Sequence, residues 1–254
     1  MNRIPKIIHY CWLSDDPVPA ELQKYMQSWK KYLSGYEFML WNFDRFDKNS
    51  SIWVKEAFDS KKYAFAADYI RCYALYHYGG IYLDMDVEVL KPFDDLLGFP
   101  YFFCREYAAP VEAAVVGVEK HSAIFADMLK YYEDRHFIRD DGSFDTVALP
   151  FVMQKVLQQS FSLINIKSMA DFDDSPDKIC ILPCEYFSPK SFTGKISTTD
   201  NSYTIHHYAG SWVGGWKKIK KKLFKIMGYR LTTWCLSLKA FLVGKKSNDN
   251  SSLS

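Results

Sequence analysis

No CxxC pair occurs in this sequence. Its six cysteines, at 11, 72, 104, 180, 184 and 235, sit mostly inside apolar stretches such as Ile179-Cys180-Ile181-Leu182. That spacing excludes the paired-thiol zinc and redox motifs and reads as buried, reduced thiols. The opening residues, Met1-Asn2-Arg3-Ile4-Pro5-Lys6, lack the apolar core and small-residue cleavage pattern of a secretory signal. No uninterrupted run approaches the roughly 20 apolar residues of a membrane span, so a cytoplasmic location is expected. A large excess of either charge is also missing: the formal net charge is +2. That excludes a polyanion binder of the kind that coats nucleic acid, and no nucleic-acid partner is expected. Internal repeats and low-complexity tracts are absent, and aromatic residues, 17% of the chain, are interleaved with charges throughout.

What is present is enough for one substantial core: 254 residues, 48% of them hydrophobic. We expect one catalytic domain over residues 1–214. Beyond it, over residues 215–247, Lys217, Lys218, Lys220, Lys221, Lys222 and Lys225 alternate with Ile219, Leu223, Phe224, Ile226 and Met227. This pattern is that of a basic amphipathic helix, or a helix pair broken near Gly228. It suits peripheral contact with an anionic membrane surface, here the inner face of the cell membrane. Residues 248–254 are polar and expected to be disordered.

Residues 6–13 form a short apolar run bounded by Pro5 and the cluster Ser14-Asp15-Asp16-Pro17, which reads as a buried opening strand. Helical spacing follows over residues 20–33, through Leu22, Tyr25, Met26, Trp29 and Leu33, and Gly35 stands where a helix would stop. Residues 36–41 look like a second strand. A helix over 61–78 ends at Gly79-Gly80, and strand character resumes over 81–90. Further strands are expected at 101–106, 113–118, 179–182 and 203–207, with helices over 122–133 and 145–159. The alternation is that of an α/β sheet, in which nucleotide ligands lie at the carboxyl ends of the strands.

Asp84 and Asp86 stand in the strand run over 81–90 among apolar Ile81, Leu83, Val87 and Val89. On one strand their side chains would point to the same face while Met85 points into the core. Two charges in such a run are costly unless paired, and a cation is the economical partner. Carboxylate oxygens suit Mg²⁺ or Mn²⁺, which share their coordination with substrate phosphates. If Gly79-Gly80 reverses the chain, Asp68 lies about 15 Å back along the helix and Asp84 about 13 Å forward along the strand, so the two are level. Arg71 shares the helix face of Asp68 and brings a guanidinium beside the acids. Such a pair can serve sugar hydroxyls and phosphate oxygens. A histidine late in the chain could return to the cation, and His206 and His207 are equally placed, one facing inward and one outward.

The stretches Ile4-Pro5-Lys6-Ile7-Ile8-His9-Tyr10-Cys11-Trp12, Ala67-Asp68-Tyr69-Ile70-Arg71 and Gly79-Gly80-Ile81-Tyr82-Leu83-Asp84-Met85-Asp86 closely resemble the family-32 glycosyltransferases. The likeness returns at His206-His207-Tyr208-Ala209-Gly210-Ser211-Trp212. That group includes bacterial capsular-polysaccharide enzymes and yeast-type initiating mannosyltransferases. The resemblance implies a GT-A fold, a Rossmann-like mixed sheet flanked by helices. It also implies a UDP- or GDP-sugar donor, Mn²⁺ or Mg²⁺, and retention of anomeric configuration. By position, Trp12 would flank the nucleotide base, Asp68 and Arg71 would hold the donor sugar, and Tyr82 would line the nucleotide site. Asp84 would contact ribose or a metal-bound water, Asp86 would ligate the metal, His207 would be the third ligand, and Ser211 and Trp212 would close over the diphosphate. Ala67 departs from the small polar residue that many relatives carry before the helix aspartate.

The expected activity is thus transfer of a hexose-type sugar to a saccharide or lipid-linked saccharide, in surface polysaccharide synthesis. Two alternatives are an aspartyl-nucleophile phosphatase, with Asp84 attacking phosphate, and a non-enzymatic carbohydrate-binding or scaffold protein. The first lacks a convincing downstream lysine and acidic pair, and the second has no need of the acidic pair.

Overall fold

A computed structural model describes residues 2–106, 109, 111–191 and 194–209 of the chain. All of these except 191, 194 and 195 fall in one unit, made from Met1–Lys190 and Ile196–Ala209. Ser211, Trp212, the basic segment 215–247 and the end 248–254 lie outside the described residues. None of the described helices is long and apolar enough to cross a membrane.

The chain opens with β1 (Ile7–Cys11), α1 (Ala20–Tyr32) and β2 (Glu37–Trp41). An unexpected helix, α2 (Ile52–Asp59), comes next, started by the Ser51 side chain accepting from Val54 N. Its local signal was a serine cap before a short run, easily read as loop. The expected helix over 61–78 is α3 (Tyr63–Tyr78). The expected strand over 81–90 is broken into β3 (Gly80–Leu83) and β4 (Val87–Val89). Then come β5 (Tyr101–Cys104), β6 (Val115–Val118), α4 (Ala123–Tyr132) and α5 (Leu149–Ser160). β7 (Ser162–Asn165), β8 (Lys178–Leu182) and β9 (Thr204–His206) complete the described elements. The mostly exposed β7 had no apolar pattern to announce it.

Seven strands form one sheet in the order β2-β1-β3-β6-β5-β8-β7, and β4 pairs with β9 in a separate ribbon. Within the large sheet β6 runs antiparallel to β3 and β5, whereas the other pairings are parallel. The expected mixed α/β sheet flanked by helices is therefore what the chain forms. Alternation along the strands divides the core. Trp41, Tyr82, Phe103 and Val116 join the face covered by α2, α3, α4 and α5. Ile81, Leu83, Phe102 and Leu182 join the face covered by α1 and the ribbon. Trp29 of α1 is 1% exposed and its indole N–H donates to Val87 O at 2.7 Å, which fixes α1 against β4.

The turn from α3 into β3 is built on two glycines in left-handed backbone. Gly79 has φ of 63° and Gly80 of 103°. A Cβ on Gly79 would come within 2.5 Å of Lys120 N, and one on Gly80 within 2.7 Å of Ile7 O, so only glycine fits either position. Buried His9 fastens the turn. Trp41 Nε1 donates to His9 Nδ1 at 3.0 Å, so the ring proton sits on Nε2, which donates to Gly79 O at 2.7 Å. Burial drops the His9 pKa to about 4, and the ring stays neutral.

Candidate functional site

β3 ends at Leu83, and the two aspartates follow on a tight turn. Asp84 N donates to Ala114 O at 2.9 Å and Val87 N to Asp84 O at 3.0 Å, closing the turn that leads into β4. The sequence reading put Asp84 and Asp86 on one strand. They converge instead because the chain reverses between them and the ribbon, while Met85, 7% exposed, does enter the core. The turn lies beyond the carboxyl ends of the parallel strands β1 and β3, at the edge where such sheets take nucleotide ligands.

The ribbon brings the histidine. Val87 is opposite His206 in the β4–β9 pairing, so β9 ends beside the turn. Oxygens of Asp84 and Asp86 and a ring nitrogen of His206 all lie within 4.8 Å of one another. Asp86 is further held by the segment that follows β9: Ala209 N donates to Oδ2 at 2.7 Å and His207 N to its backbone O at 3.0 Å. His206 Nε2 is 3.4 Å from Asp86 Oδ1 and Nδ1 is 3.3 Å from Glu112 Oε1.

His207, expected as the third ligand, is not in the group that meets at Asp84 and Asp86 among the described residues. His207 stacks on Tyr25, with ring centroids 4.1 Å apart, and its Nε2 is 2.8 Å from Glu88 Oε2. The strand parity that separates the two rings was legible in the sequence. Which ring faces the acids depends on the pairing of β9 with β4, which was not.

Arg71 lies in the floor of the site. Its Nη2 is 2.9 Å from Asp84 Oδ1 and 3.7 Å from Asp68 Oδ1, and Nη1 donates to Ala113 O. The guanidinium carbon sits 4.1 Å above the Tyr82 ring centroid, a cation–π contact. The expected levelling of Asp68 with Asp84 is therefore what α3 and β3 produce. Tyr82, expected to line the nucleotide site, is 2% exposed and lies against the Arg71 guanidinium. Trp12 stands just past β1 at the same sheet end, its indole N–H donating to Asp16 O at 2.8 Å.

The electrostatics follow from burial and pairing. Burial pushes the Asp68 carboxyl up to about 7, with Arg71 opposing and Asp84 adding. Asp84 is raised as well, because burial outweighs Arg71 and Asp86 repels. Asp86 is lowered: burial alone would raise it, but His206 and Ala209 N stabilise the anion more. His206 loses hydration by burial, yet Asp86 and Glu112 carry its pKa up to about 10. Two carboxylates and an imidazole thus meet with no Lys or Arg between Asp86 and His206 among the described residues. The His206 Nδ1 atom is buried without a directed hydrogen bond. This donor set fits a divalent ion that takes both oxygen and nitrogen, Mn²⁺ more naturally than Mg²⁺.

Two residues of the site were not picked out from sequence. Glu112 is fully buried, and its signal was a lone acid in the apolar run Val111-Glu112-Ala113-Ala114-Val115. Glu106, just past β5, has its pKa pushed up to about 7 by burial and by Glu112, and Tyr208 OH lies 3.5 Å from it.

Residues 19–103 match the family described as glycosyltransferase sugar-binding region containing DXD motif. Asp68, Arg71, Tyr82, Asp84 and Asp86 fall inside that match. His206 and Glu112 fall beyond it. The chain is 32% identical over 142 residues to a mannosyl phosphorylinositol ceramide synthase, SUR1 of Saccharomyces cerevisiae, covering 53% of this chain and 37% of that protein. It is 40% identical over 106 residues to an uncharacterized glycosyltransferase, L373 of Acanthamoeba polyphaga mimivirus, covering 39% and 42%. It is 33% identical over 104 residues to inositol phosphoceramide mannosyltransferase 1 of Schizosaccharomyces pombe, covering 38% and 32%. The matches span less than half the length of each of these relatives.

Proposed function

We propose that this chain is a metal-dependent glycosyltransferase that moves a hexose-type sugar from a nucleotide-diphosphate donor to a saccharide or lipid-linked acceptor. The observation that carries the reading is the meeting of Asp84, Asp86 and His206 within 4.8 Å beyond the carboxyl ends of the sheet strands. The DXD sugar-binding match over residues 19–103 supports it, since Asp84 and Asp86 are that motif in this chain.

Asp84, Asp86 and His206 would hold Mn²⁺ or Mg²⁺, which when bound supplies Lewis-acid neutralisation of charge on the departing nucleoside diphosphate. The protein groups do the rest. Arg71 keeps Asp84 in place and, held by Asp84, Asp68 and Ala113 O, acts as a fixed positive floor. Asp68, with its pKa near neutrality, can accept from or donate to a sugar hydroxyl. Trp12 offers an aromatic edge at the mouth of the same sheet end.

Retention of configuration and a part in surface polysaccharide synthesis belong to this proposal through the family resemblance. The mannosyl names of two relatives put GDP-mannose first among donors to try. A panel of nucleotide sugars incubated with the full chain and Mn²⁺, without acceptor, tests the reading. Slow hydrolysis of one donor, abolished by EDTA and by Asp86→Asn, is expected. Equal turnover with and without chelator overturns it.

A further inference from the structure

Glu112 stands just before β6, outside the three side chains that meet at the cation site. It is fully buried, and its backbone N–H donates to Cys104 O at 2.7 Å, which ties it to β5. Cys104 Sγ donates to its Oε2 at 2.9 Å, and Ser188 Oγ donates to Oε1. Oε1 also lies 3.3 Å from His206 Nδ1. No Lys or Arg is ion-paired with it among the described residues. A buried carboxyl group satisfied by weak neutral donors is costly to keep, and an apolar residue of similar size would be tolerated better for stability alone.

The geometry gives that cost a return. An imidazole that binds a cation must present one nitrogen without its proton, and the proton must then reside on the other. His206 Nε2 faces the Asp86 carboxylate at 3.4 Å, and Nδ1 faces Glu112. A ligating Nε2 therefore requires a proton on Nδ1, the atom that faces Glu112 Oε1 at 3.3 Å. We infer that Glu112 is a positioning residue, which fixes the Nδ1–H tautomer and the ring angle of His206 so that Nε2 is delivered to the cation at Asp84 and Asp86. Ser188 and Cys104 in turn keep Glu112 from rotating. The arrangement is a carboxylate–histidine–metal relay, in which the outer carboxylate raises the basicity of the ligand and sets its direction. The inference rests on the proposed cation site.

Mn²⁺ binding to the full chain, followed by electron paramagnetic resonance of the free ion without any donor, tests it. Glu112→Gln should weaken Mn²⁺ binding about 10- to 100-fold, the usual cost of losing such a partner. Donor hydrolysis in this variant should return toward the wild-type rate at saturating Mn²⁺. His206→Ala combined with Glu112→Gln should bind no worse than His206→Ala alone, because Glu112 acts through the ring. Wild-type affinity in Glu112→Gln, or losses that multiply in the double variant, overturns the inference while leaving the cation site standing if Asp86→Asn still loses Mn²⁺. Absence of binding in the wild-type chain overturns both. A measurement on unmutated protein guards against a misfolded variant. Nitrogen NMR of the histidine-labelled chain with Zn²⁺ as the diamagnetic ion should show His206 protonated at Nδ1, and a proton on Nε2 overturns the assignment.

Discussion

Arg71→Met removes the cation that lies between buried Asp68 and half-buried Asp84. In the wild-type chain the guanidinium is 2.9 Å from Asp84 and 3.7 Å from Asp68, and the Asp68 and Arg71 side chains are 12% and 7% exposed. Breaking a buried pair by deleting one partner costs about 3–5 kcal/mol, since the remaining charge stays desolvated. For a chain of this size that lowers Tm by on the order of 10 °C. The sign with pH can be worked out. Asp68 has a folded pKa of about 7, above its unfolded value, so the folded state binds more protons and stability falls as pH rises between roughly 4 and 7. Without Arg71 the carboxyl is raised further and the fall extends upward in pH. Thermal denaturation should therefore find Arg71→Met weaker at pH 8 than at pH 5 relative to wild type. Adding Asp68→Asn should recover part of the loss, because the unpaired buried carboxyl is gone. If Arg71→Met is stable to within about 1 kcal/mol, or if Asp68→Asn deepens the loss, the buried-pair account of this floor is refuted.

Other outcomes are equally direct. His9 is neutral in the fold with a pKa of about 4, against 6.5 when free, so the unfolded chain takes up a proton that the folded chain refuses as pH falls through that window. About 3 kcal/mol of stability should be lost between pH 6.5 and 4, and urea titrations of His9→Gln should lack this limb. His206→Ala should cost Mn²⁺ affinity at least tenfold, whereas His207→Ala should leave it within about threefold, and the reverse order would restore the original ligand assignment. Removal of residues from Lys217 onward should release the chain from phosphatidylserine vesicles in a sedimentation assay, and unchanged binding would reject the proposed membrane contact.

Much of the site was legible because it depends on short-range geometry. Gly79 and Gly80 announced the reversal, and helix rise and strand rise then placed Asp68 and Arg71 level with Asp84. The spacing of Leu22 and Trp29 gave the buried face of α1. What could not be read depends on partners distant in sequence. Leu83 looked like the middle of a strand, and only the Asp84 N to Ala114 O bond and the β4–β9 pairing make Asp84-Met85-Asp86 a turn. Which of His206 and His207 sits beside the acids is a parity question that turns on the register placing Val87 opposite His206. Tyr82 entered the expected site only through the family resemblance, and its contact with Arg71 depends on the packing of α3 against β3. Glu112 was hidden in an apolar run whose one charge is answered by a serine 76 positions away.

Anomalous diffraction at the manganese edge, from crystals grown with Mn²⁺ and the donor selected by the hydrolysis panel, tests the central claim most directly. A single strong peak is expected bounded by Asp84, Asp86 and His206, with the diphosphate of the donor completing its coordination. Donor bound at the sheet edge with no manganese among those three side chains, or manganese held elsewhere, contradicts the account.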